Sequence, residues 1–278
     1  MIGCFSLGGI KIAFPTKYFA VRLHQNVMTL ENCYHAAAKL LGPDPESLFT
    51  VQSVDFHRQY WRPKKVHTVL LAESHVYTSP GETLKMVGAA WSVENEIIQP
   101  FVRLVYCLGY GEPEYVGFET TKNPGTPQYW KLLSSCVGLA PTKVLKSQNK
   151  NLLNRLSAKT EVLSQMRDMG IWLVDASILA LYRPGGERPT SLICQQVLEC
   201  CWDNYIRSQI VEANPSSILI IGKGVCELLK SKLLDLKQEL PIHIDWVRQP
   251  QGCRSTQAVE EMHLKAFNHC NDARMNRR

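Results

Sequence analysis

The chain has 278 residues, of which 45% are hydrophobic and 20% charged. That composition argues against general disorder and is enough to bury a sizeable core. Its net charge of +6 permits a polyanionic partner without requiring one.

Taken in chain order, residues 28–41 have helical apolar spacing and stop at Gly42-Pro43-Asp44-Pro45. Residues 57–65 are basic and aromatic and read as a solvated surface connection, although such a stretch also suits a phosphate backbone. Residues 66–72 read as a buried strand that turns polar at Glu73-Ser74-His75-Val76-Tyr77. A second β-rich run covers 101–108, closed by Gly109-Tyr110-Gly111, and 126–137 reads as a helix. Residues 141–159, with Lys143, Lys146, Lys150, Arg155 and Lys159, read as an exposed basic insertion. A third strand, 171–174, ends at Asp175, and 191–211 is a long helix. Residues 217–221 form a fourth strand, which Gly222-Lys223-Gly224 joins to a helix over 225–240. The last strand, 242–247, precedes a loop over 249–256 and a terminal helix over 257–268.

Strands alternating with crossover helices imply a parallel sheet covered on both faces. The expected fold is α/β: a three-layer α/β/α sandwich with a central, mostly parallel sheet of four to five strands. Residues 1–65 are expected to be a helical or irregular extension packed on an α/β domain spanning 66–278. Ten cysteines include no C-x-x-C pair, so zinc-ribbon and dithiol redox spacings are absent. Nothing resembles the disulfide lattice of a small secreted domain, and no run approaches the roughly 18 apolar residues that span a bilayer. A reduced, cytoplasmic monomer without membrane contact is expected. The spacing of His67, His243, His263 and His269 suggests no metal site, and these stand as structural or surface residues.

In parallel sheets ligands lie outside the carboxyl ends of the strands. Glu73, Ser74, His75 and Tyr77 crowd four groups able to bind or move protons into such an end, where a carboxylate can orient water; capping of a following helix is the plainer use. Asp175, at the tip of an apolar strand, must find donors in a backbone turn or in a ligand. Gly222-Lys223-Gly224 lacks both the G-x-G-x-x-G series and a Walker signature, and reads as a tight strand-to-helix turn.

Read together, these segments resemble the uracil-DNA glycosylase superfamily, most nearly its bacterial and archaeal iron–sulfur branch, over residues 66–262. Leu71-Ala72-Glu73-Ser74-His75 stands where that branch has Gly-Glu-Ala-Pro-Gly. Leu173-Val174-Asp175 followed by Arg183-Pro184-Gly185-Gly186-Glu187-Arg188 stands where it has a base-reading Asn and a later Arg-Pro-rich stretch. Pro215 through Gly222 matches a Pro-led strand, Gln249-Pro250-Gln251 the final His-Pro-Ser, and Tyr129-Trp130-Lys131 an aromatic helix. The resemblance implies DNA base excision by hydrolysis of the N-glycosidic bond, with a flipped nucleotide in the pocket. Glu73 would activate water and Gln249 would assist the leaving base. Asp175 would read the base edge, with Ser74 and His75 beside it and Tyr77 or Tyr110 stacking. Arg254 would fill the gap in the duplex, and Lys223 would approach a phosphate. The departures matter too. An ionised Asp accepts but cannot donate, so Asp175 suits an amino-bearing base better than uracil. Tyr182 occupies the third cluster-cysteine position, so no iron–sulfur cluster, metal or other cofactor is expected. The alternatives are a non-catalytic nucleic-acid or nucleotide binder that kept the fold, and a nucleoside or small-molecule hydrolase using the same carboxylates.

Overall fold

In the computed structural model the chain is described over residues 4–7, 10–13, 20–88, 98–117, 125–182, 188–253 and 255–275, with side chains for those between 30 and 273. A short antiparallel pair, β1 (Cys4–Leu7) and β2 (Ile10–Ala13), precedes α1 (Ala20–Leu41) and α2 (Leu48–Tyr60). Next come β3 (Thr68–Ala72), α3 (Pro80–Thr83), a second antiparallel pair of β4 (Met86–Gly88) and β5 (Ile98–Pro100), and α4 (Pro113–Val116). The helices α5 (Pro127–Cys136) and α6 (Leu152–Asp168) lead to β6 (Ile171–Asp175). Then α7 (Ser191–Cys201), a π-helical turn over Trp202–Ile206 and α8 (Arg207–Ala213) run on to β7 (Ser217–Ile221). Finally α9 (Lys223–Leu228), α10 (Lys230–Glu239), β8 (His243–Val247) and α11 (Thr256–Met275) complete the chain.

The core is a four-stranded, all-parallel sheet in the order β6-β3-β7-β8. Every residue of β3, β6 and β7 is buried, as strands covered on both faces require. The chain steps from β3 to β6 in one direction and then from β6 across β3 to β7 in the other. Right-handed crossovers in opposite directions place their helices on opposite faces. Accordingly α5 packs with α6 and α11, while α7 packs with α1, which in turn meets α2. The architecture is the three-layer α/β/α sandwich. The segment before residue 66 supplies α1 and α2 to one layer, and a single apolar cluster runs from Leu30 to Cys270. Among the described residues no helix is long and apolar enough to cross a membrane.

Three local expectations are corrected. Residues 101–108 are buried but form no strand. The Arg103 N–H goes to Thr78 Oγ1 at 2.8 Å, and Cys107 and Tyr110 close successive turns onto Leu104 and Cys107. The basic aromatic stretch 57–65 is not a solvated connection. Its first residues complete α2, begun by a Ser47 cap that accepts from the Thr50 N–H at 3.1 Å, and His57, Arg58 and Trp61 are buried. The stretch 141–159 is exposed only in part: Lys143, Lys146 and Lys150 are exposed, but Arg155 and Lys159 are buried. The Asn151 side chain caps α6, and that helix turns Arg155 and Lys159 inward onto the buried Glu112. Arg155 Nη2 lies 2.6 Å and Lys159 Nζ 2.8 Å from its carboxylate, and Lys159 also sits 5.1 Å from the Trp130 ring centre. A buried cation must be paired, which is why these basic residues face in.

Removing one partner of such a group leaves uncompensated buried charge. Glu112→Ala is therefore expected to lower unfolding free energy by about 3–5 kcal/mol, whereas Glu114→Ala, at the exposed pair with Lys146, should change it by less than about 1 kcal/mol. Urea unfolding of the two variants checks this.

Candidate active site at the carboxyl edge

Because the four strands are parallel, the residues just beyond their ends share one edge. Asp175 is level with Ala72, Leu71 with Ile220, and Ile221 with Val247. Across that edge stand Asp175, Glu73, Gly222 and Gln249, in the order of the strands. Since the chain leaves β3 in one direction and reaches β7 in the other, the switch in strand order falls between β3 and β7. That crevice lies between Glu73 and Gly222, and it is where a doubly wound sheet binds its ligand. Gly222 holds φ at 111°, a backbone state that side chains rarely adopt, and donates its N–H to Val247 O at 2.8 Å. An added Cβ would stand 3.8 Å from the Gln249 Cβ, so Gly222 and the half-buried Gln249 are neighbours.

Glu73 is 8% exposed. One carboxylate oxygen pairs with Arg188, and the other lies 3.5 Å from the Tyr182 hydroxyl. The Arg188 guanidinium sits 5.4 Å from the Tyr182 ring centre. Arg188 also walls a cleft of about 370 Å³ lined by Pro189, Ser191, Cys194, Gly224, Glu227 and Leu228. Tyr129, near the start of α5, joins the group: burial, Asp175, Glu73 and Tyr182 together push its hydroxyl well up. Glu73 thus has a cation and two tyrosines about it, and that cation walls the cleft.

Asp175 is engaged differently, and its donors come neither from a backbone turn nor from a ligand. Its carboxylate is 3% exposed and lies 2.5 Å from Arg58 Nη2. His75 Nδ1 stands 3.6 Å from the same oxygen, while its Nε2 is 2.7 Å from Glu46 Oε2. Glu46 also accepts the N–H groups of Thr78 at 2.7 Å and Ala180 at 2.9 Å, tying the loops after β3 and β6 together. Burial alone would push His75 down, but Glu46 and Asp175 hold it up at about 9. Burial alone would likewise raise the Asp175 carboxyl, and Arg58 and His75 hold it below the ordinary range. Two carboxylates therefore face one guanidinium and one imidazolium in a buried, charge-balanced quartet.

The remaining sequence candidates divide. The Ser74 hydroxyl accepts the Leu181 N–H at 3.3 Å and braces the loop after β6. Tyr77 stands near Glu46, Asp44 and Glu82. Tyr110, 3% exposed, belongs to the apolar core, so neither proposed stacking ring lines the Glu73 cleft. The tyrosines beside Glu73 are Tyr182 and Tyr129. Lys223 is mostly exposed and pairs with Glu227 at 3.3 Å. Arg254 and the stretch 183–187 lie outside the described residues. Sequence reading missed Arg58 and Glu46, whose partners are 117 and 29 positions away. It also left His243 and His269 apart, whereas β8 and α11 bring them together with Asp245. No protein-family model matches the chain, and a search of curated proteins finds no relative.

A histidine raised from 6.5 to about 9 by folding stabilises the fold fully below pH 6.5, and that contribution fades as pH rises through 9. Between about pH 6.5 and 8.5 the urea midpoint should therefore fall for the wild-type protein. His75→Gln should be less stable and should lose this slope. A slope unchanged in the variant would show that His75 is not the titrating group.

Proposed function

We propose that the chain is a divergent uracil-DNA glycosylase-like hydrolase whose working carboxylate is Glu73. The observation that carries the reading is the place of Glu73, at the sheet's switch point and paired with Arg188, which walls an open cleft. Glu73 would hold a water against the sugar carbon of a flipped nucleotide. As the bond from C1′ to the base nitrogen breaks, the water oxygen bonds to C1′ and a proton passes to the departing base. Arg188 would fix the Glu73 carboxylate, and Tyr129 and Tyr182 offer rings for base stacking. Gln249, across from Gly222, would donate an amide hydrogen bond to the base oxygen, a weaker aid than a charged donor. Asp175 has no role in reading the base here, because Arg58 occupies it. DNA is the proposed partner, and its affinity would weaken with salt as counterions are released.

A second reading, a non-catalytic nucleic-acid binder, is favoured by two features. Asp175 is withdrawn from the cleft, and Gln249 stands where the resemblance implies a histidine.

The test is a panel of single- and double-stranded oligonucleotides, each carrying one deaminated or modified base. Release of one base should fall on the order of 10²–10⁴-fold in Glu73→Gln, with Tm nearly unchanged. Salt-sensitive binding without base release, equal in wild type and Glu73→Gln, would establish the binder instead. Neither binding nor release would overturn both readings.

A further inference from the structure

We propose that His243, Asp245 and His269 form a site for a divalent transition cation of the zinc type, clamping α11 onto the edge strand β8. Alternation along β8 puts His243 and Asp245 on one face of the strand, and α11 packs against β8 and supplies His269. One ligand atom from each residue lies within 4.8 Å of the other two. The imidazole rings are 5.4 Å apart, tilted by 34°. His269 is 8% exposed, and its Nε2 has no hydrogen-bond partner among the described residues. A buried polar nitrogen without a partner is destabilising, and a metal ion supplies the missing interaction.

The donor set decides the class of ion. Two imidazoles and one carboxylate suit a borderline cation such as zinc, whereas magnesium and calcium favour oxygen alone. Three protein ligands leave a fourth position for water, and the exposed His243 gives a path of entry. Asp245 Oδ1 already accepts from the Trp246 N–H and from Lys265 Nζ, each at 2.7 Å, which leaves Oδ2 to ligate. Lys265 precedes His269 by one helical turn, so its ammonium is the cation that a metal must share the carboxylate with.

Tetrahedral zinc with bonds of about 2.1 Å sets its ligands about 3.4 Å apart. Ligand atoms that lie within 4.8 Å of one another must therefore close in by at most about 1.4 Å. His243 is the one free to move. Its backbone is fixed by donation to Ser216 O at 2.9 Å, but its side chain is exposed. His243 pairs with Ser217, the first residue of β7. The site is therefore at the amino end of the sheet, opposite Glu73, and is independent of the proposed hydrolase reading.

Titration of the full-length, metal-free protein with zinc chloride and with cobalt chloride tests the assignment. One equivalent of zinc should bind, and zinc at a hundredfold excess over Kd should raise Tm by about 5–10 °C. Cobalt should give the visible bands of a four-coordinate ion without a thiolate charge-transfer band. His243→Ala, at an exposed position, should lose the Tm shift and the cobalt spectrum while keeping the metal-free Tm, and Asp245→Asn should lose both when measured against its own metal-free Tm. Lys265→Met should bind zinc more tightly. No saturable binding, binding unchanged in both ligand variants, or a thiolate band pointing to cysteine would each overturn the proposal.

Discussion

The carboxyl edge of this sheet depends on the ion pair between Arg58 and Asp175. A strand as apolar as Trp172-Leu173-Val174 buries the residue at its tip, and that residue is a carboxylate. Leaving that charge unmatched would be strongly destabilising, so a cation has to reach it from another layer. Arg58 arrives from α2, on the helical layer against which Trp172 donates its indole N–H to the Arg58 carbonyl at 3.1 Å. Helix and strand are thus fixed to each other by charge and by backbone at the same residue. His75 and Glu46 extend the match, and Glu46 ties together the two loops after β3 and β6.

This arrangement separates two carboxylates that look alike in the sequence. Asp175 is fixed inside the protein, its Oδ2 held by Arg58 and His75. Glu73 is held by Arg188, whose side chain is 44% exposed, so its pairing is with a group that solvent can rearrange. A surface-facing ion pair of this kind is weak and adaptable, whereas the buried quartet is rigid. The rigid part therefore serves as the frame for the adaptable one. Ala176 and Ser177 reinforce this by donating their N–H groups to Ala72 and Glu73, which extends the β3–β6 pairing past the strand ends.

The sheet was legible because strands buried on both faces are written as unbroken apolar runs, and the polar residues that end them announced Glu73 and Asp175 as members of one edge. The local pattern does not carry the partner of a buried charge. Arg58 stands in a stretch that reads as basic and aromatic, and the stripe of Val51, Val54 and Arg58 behind the Ser47 cap marks a helix with an inward face. Lys159 and Arg155 misled for the same reason, since their inward orientation is set by Glu112, more than forty positions earlier. His243 and Asp245 do carry a local signal, two positions apart on an edge strand. The third member comes from a helix that no spacing rule connects to them.

The placement of β3 in the middle of the sheet also governs how the chain can assemble. Its two edges are taken by strands far along the sequence; Thr68 bonds Ser217 across 149 positions. An apolar strand is therefore made early and stays unpaired until a long stretch of later chain has been added. Closing loops of that length before any sheet contact rewards them makes for slow assembly, with an aggregation-prone segment exposed meanwhile. The buried pair of Arg58 and Asp175 is under the same constraint, since neither charge finds its match until β6 exists. Truncation before β7 would therefore leave a hydrophobic strand with one open edge.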